Sequence, residues 1–392
     1  MKYALKNVKI ITPFRIVERG IVVISGRKID ALGEVDDVKI SPSTKVYDLD
    51  GMMLTPGFID LLVHGGGGYG FADETDEAIQ KASEFFFSHG TTGMLASLYS
   101  KPRKLLLKDV SRIAGYAEKN KGRTNVWGIH MEGPFINPEM KGAMKEEYLW
   151  DPNVDQWEEL FHASNGYIKL MTIAPELPGN LDVMRAAAND GVVLSIGHSA
   201  AMLHDIENAI DNGAAHVTHM FNAMRPFHHR VPGVMVGGLL RNELKLELIA
   251  DAIHVHPAVM RLLYNIKGDG GIILITDAIR ASGMPDGDYT FMDQKITVKE
   301  KKAFLEDGTL AGSTLTLDRA VKNMVELVGV PLTDAVRMAS LNGAKVLALE
   351  NRKGIIAVGK DADLVVMDSK FTVHMTIYQG AMKYQKETIV TE

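Results

Sequence analysis

An α/β fold is predicted by three features of this 392-residue sequence. The first fifty-odd residues and the last forty read as short strands and turns with little helical period. Between them, eight short apolar runs alternate with longer helical patterns. Polar and ionisable residues follow most of these runs directly. Eight strand–helix units fit a (β/α)8 TIM barrel, whose functional residues sit at the C-terminal strand ends. The alike ends fit a small β-sandwich domain formed from both chain termini.

At the N-terminus, residues 3–10 mix apolar and polar positions. Residues 20–24 are a β-branched run, Ser25-Gly26-Arg27-Lys28 is a turn signal, and residues 29–33 resume the strand. The eight apolar runs cover 58–63, 92–97, 126–130, 168–173, 192–196, 215–218, 246–250 and 272–276. Helical patterns lie between them at 75–89, 104–120 and 203–211. After Leu310 the pattern is helical again through 318–328 and 332–349, and residues 354–368 hold a turn and a buried strand. The expected division is 1–53 plus 352–392 for the small domain and 54–351 for the barrel. No low-complexity linker separates them.

Composition narrows the function. Hydrophobic residues at 46% and charged residues at 23% suit a soluble globular protein. A net charge of -6 with both signs interspersed argues against nucleic acid or anionic membrane as a partner, while leaving room for a local phosphate pocket. Cysteine is absent, which excludes disulfides, a thiolate nucleophile and a Cys-ligated metal. The start, MKYALKNVKIITP, is too broken by charge for a signal peptide, and no apolar stretch is long enough to span a bilayer. A cytoplasmic location is expected.

The third run ends His130-Met131-Glu132-Gly133-Pro134 and the fifth Gly197-His198-Ser199. The sixth ends Thr218-His219-Met220-Phe221-Asn222, the seventh Asp251-Ala252-Ile253-His254, and the eighth Thr276-Asp277-Ala278. In a barrel these ends converge on one mouth. Two histidines and a carboxylate with one open position suit a catalytic zinc-type ion, with Glu132, His198 and His219 as ligands. Asp277 is then the candidate general base and acid. A lone strand-end His is ordinarily a hydrogen-bonded structural residue, and a lone Asp ordinarily an N-cap. The convergence of four such residues carries the reading. The glycine run from His64 to Gly70 lacks the GK[ST] ending of a phosphate loop, so it fits backbone passing close to the site. Arg225, His228, His229 and Arg230 are either a solvated charged loop or an anion site.

With these motifs the sequence resembles the amidohydrolase superfamily, and within it the family of N-acetylglucosamine-6-phosphate deacetylases. The resemblance covers essentially the whole chain. It rests on Pro56-Gly57-Phe58-Ile59-Asp60, His130-Met131-Glu132-Gly133-Pro134-Phe135, Gly197-His198-Ser199, Thr218-His219-Met220-Phe221-Asn222-Ala223-Met224, Thr276-Asp277-Ala278, Leu310-Ala311-Gly312-Ser313 and Gly359-Lys360-Asp361-Ala362-Asp363-Leu364. The resemblance implies Glu132, His198 and His219 as metal ligands and Asp277 as catalytic acid/base. It implies substrate contacts from Ala143, Asn222, Ala223, Arg230 and His254 and from the backbone of Leu310, Ala311 and Gly312. It further implies a homodimer in which Arg230 and His254 reach the neighbouring active site. The implied reaction removes the N-acetyl group of N-acetylglucosamine 6-phosphate, with one divalent metal per chain, zinc best suited and iron or another ion also fitting the ligands.

Three positions depart from the family pattern. Leu62 stands where many members carry the first His of a His-x-His pair, so a second metal site lacks a usual ligand. Met144 stands where the family often has a His that holds the acetyl carbonyl, and Met cannot donate a hydrogen bond; His64 is the auxiliary candidate to replace it. Ala252 stands for a glycine in Asp-Gly-x-His. Two rivals follow: a related hydrolase with a shifted substrate, such as N-acetylgalactosamine 6-phosphate or another N-acyl compound, or a barrel that binds a phosphosugar without catalysis. An intact Asp277 speaks against the second.

Overall fold

The computed structural model describes residues 2–386. The expected small-domain limits also take in Met1 and residues 387–392, which lie outside the described residues. The chain forms two compact units, one from residues 61–82 and 94–315 and the other from residues 2–60, 83–93 and 316–386.

The barrel sheet holds eight strands in sequential order: Phe58–Val63, Thr91–Tyr99, Val126–Glu132, Ile168–Ile173, Val193–Ile196, Ala214–Val217, Lys245–Ile249 and Ile272–Ile275. The ladders from the second strand to the eighth are all parallel. The seam between last and first is closed beyond the eighth strand, where Val63 bridges Ala278 in parallel and the Asp277 N–H donates to the Leu62 carbonyl at 2.8 Å. Strands buried on both faces read as continuous apolar runs, and the expected runs coincide with the observed strands to within a few residues at each end. Intervening helices include Arg103–Lys119, whose buried Leu106, Val110, Ile113, Ala114 and Ala117 form the apolar stripe of an amphipathic helix.

A three-stranded antiparallel sheet, Gly287–Phe291, Gln294–Lys299 and Lys302–Leu305, follows the last barrel strand. The sequence pattern does not announce it. Its middle strand does alternate, with Ile296 and Val298 buried between exposed neighbours, but its first turn, Met292-Asp293, holds neither Gly nor Asn.

In the second unit, strands from both chain ends share one eight-stranded sheet. Its order is Ala381–Gln385, Val373–Tyr378, Leu364–Met367, Met53–Pro56, Lys2–Ile11, Ile16–Ser25 and Lys28–Glu34, with Lys45–Asp48 paired to Lys2–Ile11. The antiparallel pairing of Leu364–Met367 with Met53–Pro56 joins the two ends. Leu364, Val366, Met375 and Ile377, at period two, pack with Leu5, Val8, Ile10, Val22 and Leu54. The tail motif has a structural task. Asp361 and Asp363 both hold the buried Lys353 ammonium, which no apolar core accepts unpaired.

Candidate metal centre and active-site cavity

Five of the eight barrel strands each deliver one ionisable side chain to the mouth. Glu132 is the last residue of its strand, whereas His64, His198, His219 and Asp277 lie one or two residues beyond theirs. His198 (φ 48°), His219 (φ 30°) and Asp277 (φ 51°) adopt left-handed backbone, a conformation that costs an L-residue roughly 1–2 kcal/mol. The surroundings hold two of them in place. The His198 carbonyl accepts from Asn137 N–H at 3.0 Å, and the Asp277 carbonyl from Ser313 N–H at 2.8 Å. Gly312 (φ 58°) permits the second contact, since a Cβ there would stand 2.5 Å from Ile279 Cγ2 and 3.0 Å from the Asp277 carbonyl.

Glu132 Oε1 lies 3.1 Å from His198 Nε2 and 3.2 Å from His219 Nε2, and these two nitrogens are 3.1 Å apart. The three atoms form a nearly equilateral triangle that could hold a metal ion. The donor set fits such an ion. His198 Nδ1–H donates to the Met140 carbonyl at 2.8 Å, which leaves Nε2 with its lone pair directed at the triangle. Two imidazole nitrogens and a carboxylate oxygen are the ligand chemistry of a borderline divalent cation. On the other side of Glu132, Oε2 stands 3.1 Å from His64 Nε2, which is 3.2 Å from Asp277 Oδ1. The His64 N–H aims at neither oxygen with hydrogen-bond geometry. His64, Glu132 and Asp277 form a second group of three donors.

The charges are strongly interdependent. Burial opposes ionisation of Glu132, yet contacts with His198, His219 and His64 hold its carboxyl well below the usual range. Burial likewise opposes protonation of His64, but the Asp277 and Glu132 carboxylates push it up to about 10. His130, in the same HxE motif, behaves oppositely: burial pushes it down to about 3. Its Nε2 meets Thr172 Oγ1 at 2.8 Å, in a chain that runs on through Thr218 to Ser195. His130 is therefore the hydrogen-bonded core histidine of the pair, and Glu132 the residue that faces the cavity.

A cavity of about 230 Å³ opens over the cluster. It is lined by His64, Glu132, His198, His219 and Asp277, and by the expected Ala143, Asn222, Ala223, His254, Leu310 and Gly312. Two of the expected residues lie off this lining. Ala311 is fully buried, packs into an apolar cluster and spends its N–H on the Ala303 carbonyl, so it does not line the cavity. Arg230, expected to serve a neighbouring copy, is exposed on its loop and absent from this chain's lining. His254, expected to serve a neighbouring copy, lines this chain's own cavity. Asp251 turns it inward, with Oδ1 accepting from the N–H groups of Ile253 and His254 and Oδ2 lying 2.6 Å from His254 Nδ1. Ala252 at the turn has φ 63°.

Residues missed in the sequence also shape the site. Phe291 and Met292 line the cavity from the three-stranded sheet. Glu176 accepts from Asn137 Nδ2 (2.8 Å), Ser199 Oγ (2.7 Å) and Ala200 N–H (2.6 Å), which clamps the turn that carries His198. Its position just after the fourth strand was the only available signal.

The profile of the amidohydrolase family matches residues 53–383. An N-acetylglucosamine-6-phosphate deacetylase of Lysinibacillus sphaericus is 38% identical over 86% of each chain. An N-acetylgalactosamine-6-phosphate deacetylase of Escherichia coli O157:H7 is 35% identical over 86% of this chain and 89% of its own. The solved structure of a mutant N-acetyl-D-glucosamine-6-phosphate deacetylase from Mycobacterium smegmatis, in complex with N-acetyl-D-glucosamine-6-phosphate, superposes with a TM-score of 0.92. It is 32% identical and covers 98% of this chain and all of that one.

Proposed function

The chain belongs to the amidohydrolase family, and on that premise we propose that it hydrolyses the N-acetyl amide of N-acetylglucosamine 6-phosphate to glucosamine 6-phosphate and acetate. The observation that carries the reading is the convergence of Glu132, His198, His219 and Asp277 in a cavity whose rim also bears Asn222 and His254.

Glu132, His198 and His219 are the ligands of one divalent ion per chain, zinc by the chemistry of the donors. When bound, the ion polarises the amide carbonyl and makes water acidic near neutral pH. Asp277 takes the proton of the attacking water and returns it to the leaving nitrogen, so the amine departs uncharged. His64 lies beside both carboxylates and is the donor available to the amide oxygen, since Met144 lacks one. Leu62 leaves the second donor group one ligand short of the family's usual set, which supports a single ion. Asn222, Ala223, Ala143, Leu310, Gly312 and His254 receive the phosphosugar, and the raised pKa of His254 favours an anion there. We assign Arg230 to a neighbouring copy's site in a homodimer, residues 54–351 to the hydrolase domain, and the protein to the cytoplasm. Among the described residues no helix is long and apolar enough to cross a membrane.

A second reading, hydrolysis of N-acetylgalactosamine 6-phosphate, is favoured by the relative of that name together with Met144 and Ala252. Measuring kcat/KM on both sugar phosphates with added zinc decides. A higher value for the glucosamine compound supports the first reading, and a clear preference for the galactosamine compound replaces it.

A further inference from the structure

We propose that Phe291 and Met292 form a gate that sets the largest N-acyl group the site accepts, and that a second cavity behind them is latent acyl space. This inference rests on the deacetylase reading above.

Phe291 pairs with Gln294 across a two-residue turn, and Met292 (φ 51°) and Asp293 (φ 56°) are both left-handed. That is a type I′ hairpin turn, which is tight and follows the strand twist. The tip is anchored. Gln294 Nε2 donates to the Ala143 carbonyl at 2.7 Å, and the Phe291 ring stands edge-on to both His64 and Tyr99 at 5.4 Å. Phe291 and Met292 are buried, so the tip acts as a wedge.

The lining of the main cavity is chemically mixed. Asn222 and His254 bring polar side chains to it. Met144, Phe291 and Met292 bring hydrocarbon, from a single apolar cluster. An amide held at the ligand triangle has a phosphosugar end and an acyl end. The phosphosugar is best received by the polar groups, which leaves the hydrocarbon of Phe291 and Met292 for the acyl end.

Behind the wedge lies a cavity of about 160 Å³, which shares His64, Phe291 and Met292 with the main one. The charged residues of its wall are Asp73, Lys101, Arg280 and Asp293. Both cations are paired: Lys101 with Asp109 at 2.7 Å, and Arg280 with Asp73. No uncompensated cation is left on that wall, among the described residues, to attract an acyl carboxylate. The space suits neutral acyl groups longer than acetyl. Their hydrolysis follows the same balance as that of acetyl: water adds, the C–N bond breaks, and a carboxylate and an amine leave.

The test compares kcat/KM for N-acetyl- and N-butyryl-glucosamine 6-phosphate in the wild type, Phe291→Ala and Met292→Gly. Glycine suits the left-handed turn position, so the second variant guards against loss of folding in the first. A butyryl-to-acetyl ratio raised about tenfold or more in either variant is expected, since two further methylenes gain a buried site. A ratio within twofold of wild type in the folded variants overturns the gate alone. A wild type that does not turn over the N-acetyl substrate overturns both the deacetylase reading and the gate.

Discussion

His198 Nε2 and His219 Nε2 stand 3.1 Å apart, and each is also within 3.2 Å of Glu132 Oε1. Two ring nitrogens held this close across a carboxylate oxygen are organised for a cation. Purified protein is expected to contain about one divalent ion per chain. His198→Asn or Glu132→Gln should remove it, and His64→Asn should leave the count at one. Elemental analysis measures all three. Two well-occupied sites in the wild type would contradict the significance given to Leu62.

Glu176 touches none of the ligand atoms in the triangle, yet it ties Asn137, Ser199 and Ala200 around the His198 turn. Loss of such a support typically weakens metal binding about 10–100-fold. Glu176→Ala should show that loss in a chelator competition. Unchanged affinity would reduce Glu176 to a loop contact.

His254 and Asp251 make a pH-dependent pair. Burial pulls the imidazole down, but Asp251 raises it above the ordinary 6.5; burial pushes the Asp251 carboxyl up, but His254 and the backbone N–H groups lower it below 3.8. The raised His contributes stability that is full below 6.5 and fades as pH rises through its folded value. The lowered Asp contributes stability that is full above 3.8 and fades as pH falls through its folded value. The pair is therefore strongest between these limits. Asp251→Asn keeps the Oδ1 acceptor but removes the charge, so His254 should titrate lower than in the wild type in an NMR titration, with burial opposed only by the Asp277 charge. For the wild type, KM for the sugar phosphate should rise as pH passes through the His254 value. His254→Gln should raise KM about 10–100-fold, the worth of a charged hydrogen bond, with a smaller effect on kcat.

Ala252 at φ 63° bears a Cβ where glycine bears none. The strain of roughly 1–2 kcal/mol is partly offset by the smaller unfolded-state entropy of alanine. Ala252→Gly should therefore stabilise the protein by about 0.5–1 kcal/mol, read in denaturant melts. A loss of stability would show that the turn is unstrained.

Much of this site was legible because the barrel turns sequence order into position. A strand-end residue such as His219 must face the mouth, and buried parallel strands announce themselves as β-branched runs. What stayed hidden depends on contacts between distant segments. Glu176 acts through Asn137 and Ser199, far along the chain, and only its place just after the fourth strand marks it. Phe291 and Met292 read as an ordinary apolar pair until the hairpin carries them to the cavity, with the Phe291 ring against His64. The inward turn that Asp251 imposes on His254 has no sequence signature beyond the Asp itself, so the expectation of a role in a neighbouring copy came from resemblance alone.

The most direct test of the account is acetate release from N-acetylglucosamine 6-phosphate by wild type and Asp277→Asn, both with metal content verified. Loss of the proton carrier is expected to lower kcat about 10²–10⁴-fold while the ion stays bound. Equal turnover by the two metal-loaded proteins would contradict the role of Asp277 and the mechanism built on it.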